Sequence, residues 1–230
     1  MKKILILTPP LLSALLIAGC SVTADNGSKS AEPEKTNFEK ALVAVASFDI
    51  EKTNGFDYSL KQYLGRDEFN SDTISLRASF SDDPIAQKVT TSRRLNEYGA
   101  GEQFTTTEET TYYSRNMICE YKNDAWRWSN CKKSEYFANS IASFTFDKSY
   151  FTSVVESLNT DYVLTADVKE SNIKEFFGAE SSFSSVGIKL TISSDFADFE
   201  SLEVSYFQQQ TRSEMKFAIY RGDVSISLPN

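Results

Sequence analysis

Histidine is absent from this sequence altogether. That removes the side chain that most readily titrates near neutrality, the commonest metal ligand, and every Ser-His or Cys-His nucleophile pair. Enzymes that use paired carboxylates or lysine are not forbidden by this absence. The chain also lacks a glycine loop of the kind that cradles phosphate and a cysteine-histidine spacing that would hold zinc. Basic residues are outnumbered, 24 against 32 acidic, for a formal charge of -8. This argues against nucleic acid as a partner and against a polybasic grip on anionic lipid headgroups. Aromatic residues, by contrast, are plentiful, with 17 Phe and 11 Tyr, which suits a β-rich core or an apolar binding cavity.

The first twenty residues carry the clearest signal. Lys2 and Lys3 form a short positive segment, and an apolar stretch runs from Ile4 to Ile17, interrupted by Thr8, Pro9, Pro10 and Ser13. It is shorter than the roughly 20 apolar residues of a transmembrane helix, and Pro9-Pro10 would break one. It ends Leu16-Ile17-Ala18-Gly19-Cys20, which resembles the lipobox of bacterial lipoprotein signal peptides. The resemblance implies that residues 1–19 are removed, that Cys20 receives lipid through its thiol, and that the chain is held by that lipid on the extracytoplasmic face of a bacterial membrane. That is the cell membrane, or the outer membrane in a Gram-negative cell. A single acyl chain holds only marginally, whereas two or three hold stably.

Residues 21–36 are polar and without apolar periodicity, and read as a flexible tether of about sixteen residues that reaches roughly 50 Å when extended. Residues 37–230 then read as one domain, with no boundary that would split them. Asn37 is placed as the N-cap of an amphipathic helix carrying Phe38, Ala41, Leu42 and Val45. From Phe56 the period changes from 3.6 to 2. Ile74, Leu76, Ala78 and Phe80 alternate with polar residues as a half-buried strand ended by Asp82-Asp83-Pro84. Residues 88–98 and 103–115 follow as strands around Gly99-Ala100-Gly101, the second Thr-rich and exposed. Residues 147–159 carry Tyr150, Phe151, Val154, Val155 and Leu158 on one side of a helix, residues 162–168 read as a strand, and residues 171–177 form a short helix ended by Gly178. Four alternating runs close the chain: Ile188-Leu190-Ile192, Leu202-Val204-Tyr206, Met215-Phe217-Ile219 and Val224-Ile226-Leu228. They predict an antiparallel meander with one apolar face.

With Cys20 assigned to lipid, Cys119 and Cys131 remain as a pair, which in an extracytoplasmic protein reads as a disulfide. They bracket a hairpin whose turn has two readings. A connection through Asp124-Ala125-Trp126 sets Cys119 opposite Cys131, and a two-residue Asn123-Asp124 turn sets it opposite Trp128. Trp126, Trp128 and Tyr121 on this hairpin are either an aromatic binding platform or cover for the core. Ser-x-x-Lys occurs at Ser129/Lys132, Ser171/Lys174 and Ser213/Lys216, and acidic clusters at Asp67-Glu68, Asp82-Asp83 and Asp195/Asp198/Glu200. No oxyanion-hole glycine loop follows the former, and the latter lack the ligand ladder of a calcium loop.

The order of lipobox, polar tether, amphipathic helix, long antiparallel meander with helices inserted midway, and a terminal strand with Pro229 resembles the half-barrel lipoprotein carriers, the LolA/LolB-like and LppX/LprG-like proteins. This implies an α+β fold, a curved antiparallel sheet left unclosed with a few short helices over one face. It also implies an apolar hollow lined by Ile74, Leu76, Phe80, Ile188, Leu190, Ile192, Leu202, Val204, Phe217 and Ile219. The function it implies is non-enzymatic binding of a lipid or other apolar ligand, with no cofactor and no metal. The rival expectation is a surface module with a filled core that recognises a protein or envelope component. A two-lobed solute receptor is disfavoured, because the alternating β-α pattern is missing.

Overall fold

The computed structural model describes residues 35–49, 52–79, 85–95, 103–131, 144–178 and 182–229. The signal segment with Cys20, the tether to residue 34, Phe80, the Asp82-Asp83-Pro84 break, the Gly99-Ala100-Gly101 turn and residues 132–143 lie outside the described residues.

A helix opens the described chain, α1 (Asn37–Ala46). Its N-cap is Thr36 rather than Asn37: the Glu39 backbone N–H donates to Thr36 Oγ1, and the Thr36 backbone N–H donates to Glu39 Oε2 at 2.8 Å. This reciprocal pair satisfies two donors that a helix start leaves open. Thr36 wins because Glu39 falls three residues after it, the spacing the capping box needs. That bond, with Lys148 close by, holds the Glu39 carboxyl at about 2. A lowered carboxylate pKa contributes stability above its unfolded value and loses it as pH falls toward the folded one. Glu39→Gln is therefore expected to flatten the decline in thermal stability between about pH 5 and pH 2, as read by unfolding curves across that range. Thr36→Ala is expected to cost about 1 kcal/mol.

Eleven strands follow in one antiparallel sheet: β1 (Gly55–Leu64), β2 (Asp67–Ser79), β3 (Ile85–Leu95), β4 (Phe104–Ser114), β5 (Met117–Lys122), β6 (Ala125–Asn130), β7 (Phe151–Leu158), β8 (Asp161–Val168), β9 (Phe183–Ser193), β10 (Phe199–Gln208) and β11 (Thr211–Ile219). The order across the sheet is β6-β5-β4-β3-β2-β1-β11-β10-β9-β8-β7. Two meanders, β1 to β6 and β7 to β11, are thus joined along a single long-range seam where β1 meets β11, with Tyr58 opposite Phe217 and Leu60 opposite Met215. The sheet does not close, and β6 and β7 are its two ends. The second helix, α2 (Ile173–Phe177), ends at Gly178, whose φ of 64° is the left-handed conformation that glycine adopts without penalty. Among the described residues two short helices stand against eleven strands, more sheet-rich than an α+β assignment implies.

Two further expectations are overturned. Residues 147–159 are not a helix: a short 3-10 turn at Lys148–Tyr150 leads into β7. Ser153 has φ 51°, and the pairing with β8 shifts register between Thr152 and Val155. The bulge breaks the period of two, so an edge strand imitates helical spacing. The terminal run from Val224 to Leu228 is not a strand either. β1 already occupies the edge of β11 that it would need, pairing Phe56 with Ile219.

Candidate functional site

The sheet has two unlike faces. Cross-strand partners share a face, and one face carries Leu76, Ile74, Phe56, Tyr58, Phe217, Leu202, Val204, Leu190, Ile188 and Leu164 across successive strands. Of the sequence-predicted cavity residues, Ile74, Leu76, Ile188, Leu190, Ile192, Leu202, Val204 and Phe217 are all buried here, and Ile219 is half-buried. Phe80 lies outside the described residues. Sequence alternation therefore put these side chains on a common face.

They line a closed core, however, and not an open hollow. Phe38, Ala41, Ala44 and Val45 of α1, together with Phe151 at the start of β7 and Ile173 and Phe176 of α2, complete one apolar cluster with them. Aromatic rings fill the space between cover and sheet. Phe48 meets Phe199 at 5.0 Å, Phe56 stacks on Phe217 at 5.0 Å, and Phe38 meets Phe151 edge-on at 6.0 Å. Phe176 is the hub of a second group, with Phe144 at 5.1 Å, Phe177 at 5.2 Å and Phe146 at 5.6 Å. Offset and edge-to-face pairs of this kind add about 0.5–1.5 kcal/mol each beyond their buried area.

The cover is attached lightly by comparison. The backbone bonds at the ends of α1 stay within it, Lys40 to Thr36 and Ser47 to Val43, both at 2.9 Å. Beyond packing, among the described residues Lys148 Nζ reaches Glu39 at 3.1 Å and the Lys40 ammonium sits 5.9 Å from the Phe196 ring. The segment from Phe144 to Tyr150 is pinned by the Thr145 N–H to the Phe176 carbonyl at 2.9 Å and by the Lys169 N–H to the Tyr150 carbonyl at 2.8 Å.

The same face turns polar towards β3 and β4. Arg94 donates to both carboxylate oxygens of Asp72 at 2.6 and 2.7 Å, and Ser92 Oγ donates to the same carboxylate at 2.6 Å. This bidentate arrangement, half-buried where the apolar half of the face ends, did not emerge from sequence because it depends on the β2–β3 register.

Among the described residues, titration moves away from neutrality wherever a shift is resolved. Burial raises Tyr58, Tyr162 and Tyr206 further above their usual range, and hydrogen bonds from Ser149 and Ser193 hold Asp147 and Asp195 below theirs. None of these groups is poised as a general acid or base near pH 7. Of the Ser-x-x-Lys matches, Ser129/Lys132 includes Lys132, which lies outside the described residues. Ser171 Oγ bonds to Asn172 Oδ1 at 3.0 Å, and Ser213 is buried on the apolar face while Lys216 pairs with Glu203 on the other. Asp198 and Glu200 face Arg221, and among the described residues no acidic or cysteine cluster could hold a metal ion.

A groove of about 550 Å³ is bounded mainly by polar-face residues such as Lys61, Asp167, Lys189 and Glu203, and one of about 250 Å³ lies between Asn54, Ala78 and Val224.

The hairpin takes the shorter of its two readings. Asn123 and Asp124, with φ of 52° and 59°, form the two-residue turn in which both central positions are left-handed. Cys119 is accordingly opposite Trp128, and Cys119 and Cys131 are not joined. Three residues along a strand separate the bridging position from the one Cys131 occupies, about 10 Å against the roughly 7 Å a disulfide spans. The expected bridge is corrected on that ground. Cys119 is fully buried between its cross-strand neighbours Tyr112 and Trp128, and burial pushes its thiol up. It is expected to resist an aqueous thiol reagent in the folded chain and to react on unfolding. Rapid labelling of Cys119 without denaturant, read by peptide mass, would contradict this.

No protein-family model matches the chain, and no curated protein matches it. Among solved structures it is similar to LprF from Mycobacterium bovis, with a TM-score of 0.42 and 6% sequence identity, over 83% of this chain and 95% of that one.

Proposed function

We propose that the chain is an exported, lipid-anchored and non-enzymatic lipoprotein that takes a lipid or other apolar ligand between the apolar face of its sheet and the cover formed by α1 and residues 144–150. The observation that carries this reading is the mismatch in attachment. The sheet is a continuous hydrogen-bonded ladder, while α1 packs on it through side chains, with Lys40 near the Phe196 ring, and meets residues 144–150 of the cover through Lys148. The tether would run from a lipidated Cys20 directly into Thr36, the cap of α1, so the membrane anchor and the cover are one continuous piece of chain.

Magnitudes allow the exchange. Lifting α1 exposes chiefly Phe38 and Val45, at about 1.5–3 kcal/mol each, with smaller terms for Ala41 and Ala44. An acyl chain that buries about ten methylenes regains roughly 8 kcal/mol. An apolar ligand therefore outweighs the helix it displaces, and in its absence the helix seals the face.

An environment-sensitive apolar dye tests the reading. The purified chain is expected to enhance its emission, and phospholipid is expected to displace it. No enhancement over a globular control protein of similar size would sink the proposal.

A further inference from the structure

On the face opposite α1, at the β6 end of the sheet, the structure gathers an aromatic ledge. Trp126 meets Tyr112 edge-on at 5.3 Å and Tyr121 at 5.4 Å, and Trp128 lies beside Cys119 in the next row. Tyr121 is 58% exposed, the most exposed of the chain's described large aromatic rings. The two strands and their turn carry Lys122 and Arg127, both exposed, against Glu120 and Asp124. The hairpin is therefore locally neutral within a chain of formal charge -8. Nothing in the apolar core requires these rings, because they point away from the face that α1 covers.

We infer that this hairpin is a second membrane contact, seating its tryptophan and tyrosine rings in the headgroup region of a phospholipid bilayer. The inference rests on the anchored-lipoprotein reading for its proximity to the membrane, and not on ligand uptake. Two observations select a bilayer interface as the occupant. Trp and Tyr present an apolar ring with a polar edge, the combination that partitions to the headgroup layer. The local neutrality removes the repulsion that the rest of the surface offers to anionic lipid. Reach is also sufficient. From β1 to β6 is five strand spacings, about 24 Å, and a sixteen-residue tether spans roughly 50 Å. Anchor and hairpin can touch one bilayer together, which would orient the sheet with respect to the membrane.

The test is direct because Trp126 and Trp128 are the chain's two tryptophans, so emission excited selectively from tryptophan reports this hairpin. The full chain, isolated from membranes, is reconstituted into vesicles of phosphatidylglycerol and phosphatidylethanolamine, with bromine-labelled acyl chains in matched samples. Bromines near the headgroups are expected to quench the emission, and bromines near the bilayer centre are not. Tyr121→Glu, at an exposed position that folding tolerates, is expected to abolish the quenching while the chain still floats with the vesicles. A chain that floats but is not quenched overturns the inference and leaves the anchor intact. Emission that responds to cell-wall glycan or an added protein, and not to vesicles, overturns it in favour of that partner. A chain that does not float at all removes the anchored reading, and this inference with it.

Discussion

Gly55→Ala is expected to destabilise the fold by about 3 kcal/mol or more, lowering the melting temperature by roughly 10 °C. Gly55 opens β1 with φ 131°, a conformation that side-chain-bearing residues rarely adopt. A Cβ built there would lie 1.9 Å from the Leu76 carbonyl oxygen and 2.8 Å from its carbon, both backbone atoms that cannot rotate aside. The position is also a junction. The Tyr220 N–H donates to the Gly55 carbonyl at 2.9 Å, and the Ala78 N–H donates to the carbonyl of the preceding Asn54 at 3.0 Å. Moving Gly55 to relieve the clash therefore disturbs β2 and the chain after β11, on either side of the seam that joins the two meanders. Thermal unfolding followed by far-UV circular dichroism checks this. A change within about 2 °C would mean that β1 starts differently.

Phe176→Ala is expected to cost about 4 kcal/mol, in the range for deleting a buried aromatic side chain. Phe176 is fully buried and is the residue on which Phe144, Phe146 and Phe151 converge. Its loss leaves a cavity that the sheet cannot collapse into, because β8 to β10 are held by their ladders. It should also loosen residues 144–150, the part of the cover that reaches α1 through Lys148. Urea unfolding should show a lower midpoint, and limited proteolysis should cut this segment first. Val155→Thr, at a side chain 65% exposed on β7, is the control and should shift stability by less than about 0.5 kcal/mol. Equal effects at the two sites would contradict the placement of the core.

What was legible in the sequence follows from which interactions are local. The runs at Ile74 to Ala78, Ile188 to Ile192, Leu202 to Tyr206 and Met215 to Ile219 alternate cleanly because each has one wet and one buried face, and they became β2, β9, β10 and β11. β7 was unreadable because its bulge at Ser153 shifts the phase of an edge strand, giving Val154, Val155 and Leu158 a helical spacing while leaving all three exposed. The pairing of β1 with β11 joins residues some 160 positions apart, for example Phe56 with Ile219, and no local pattern encodes it. It also displaced the terminal run from the sheet.

For the candidate site, alternation gave the common face of Leu76, Leu190 and Phe217 but not what covers it. The meeting of Phe38, Phe151 and Phe176 depends on long-range packing rather than on period. The hairpin register lay between two turns of similar sequence cost. The left-handed tolerance of Asn123 and Asp124 decided it, and with it the fate of the Cys119–Cys131 pair.

The central claim, that the face beneath α1 exchanges its helix for an apolar ligand, is tested most directly by native mass spectrometry of the chain extracted from membranes. The account predicts a non-covalent adduct of lipid mass, additional to any covalent lipid at Cys20, that is lost on activation in the gas phase. A chain carrying its covalent lipid alone, and taking up no further lipid on incubation with phospholipid, would contradict it.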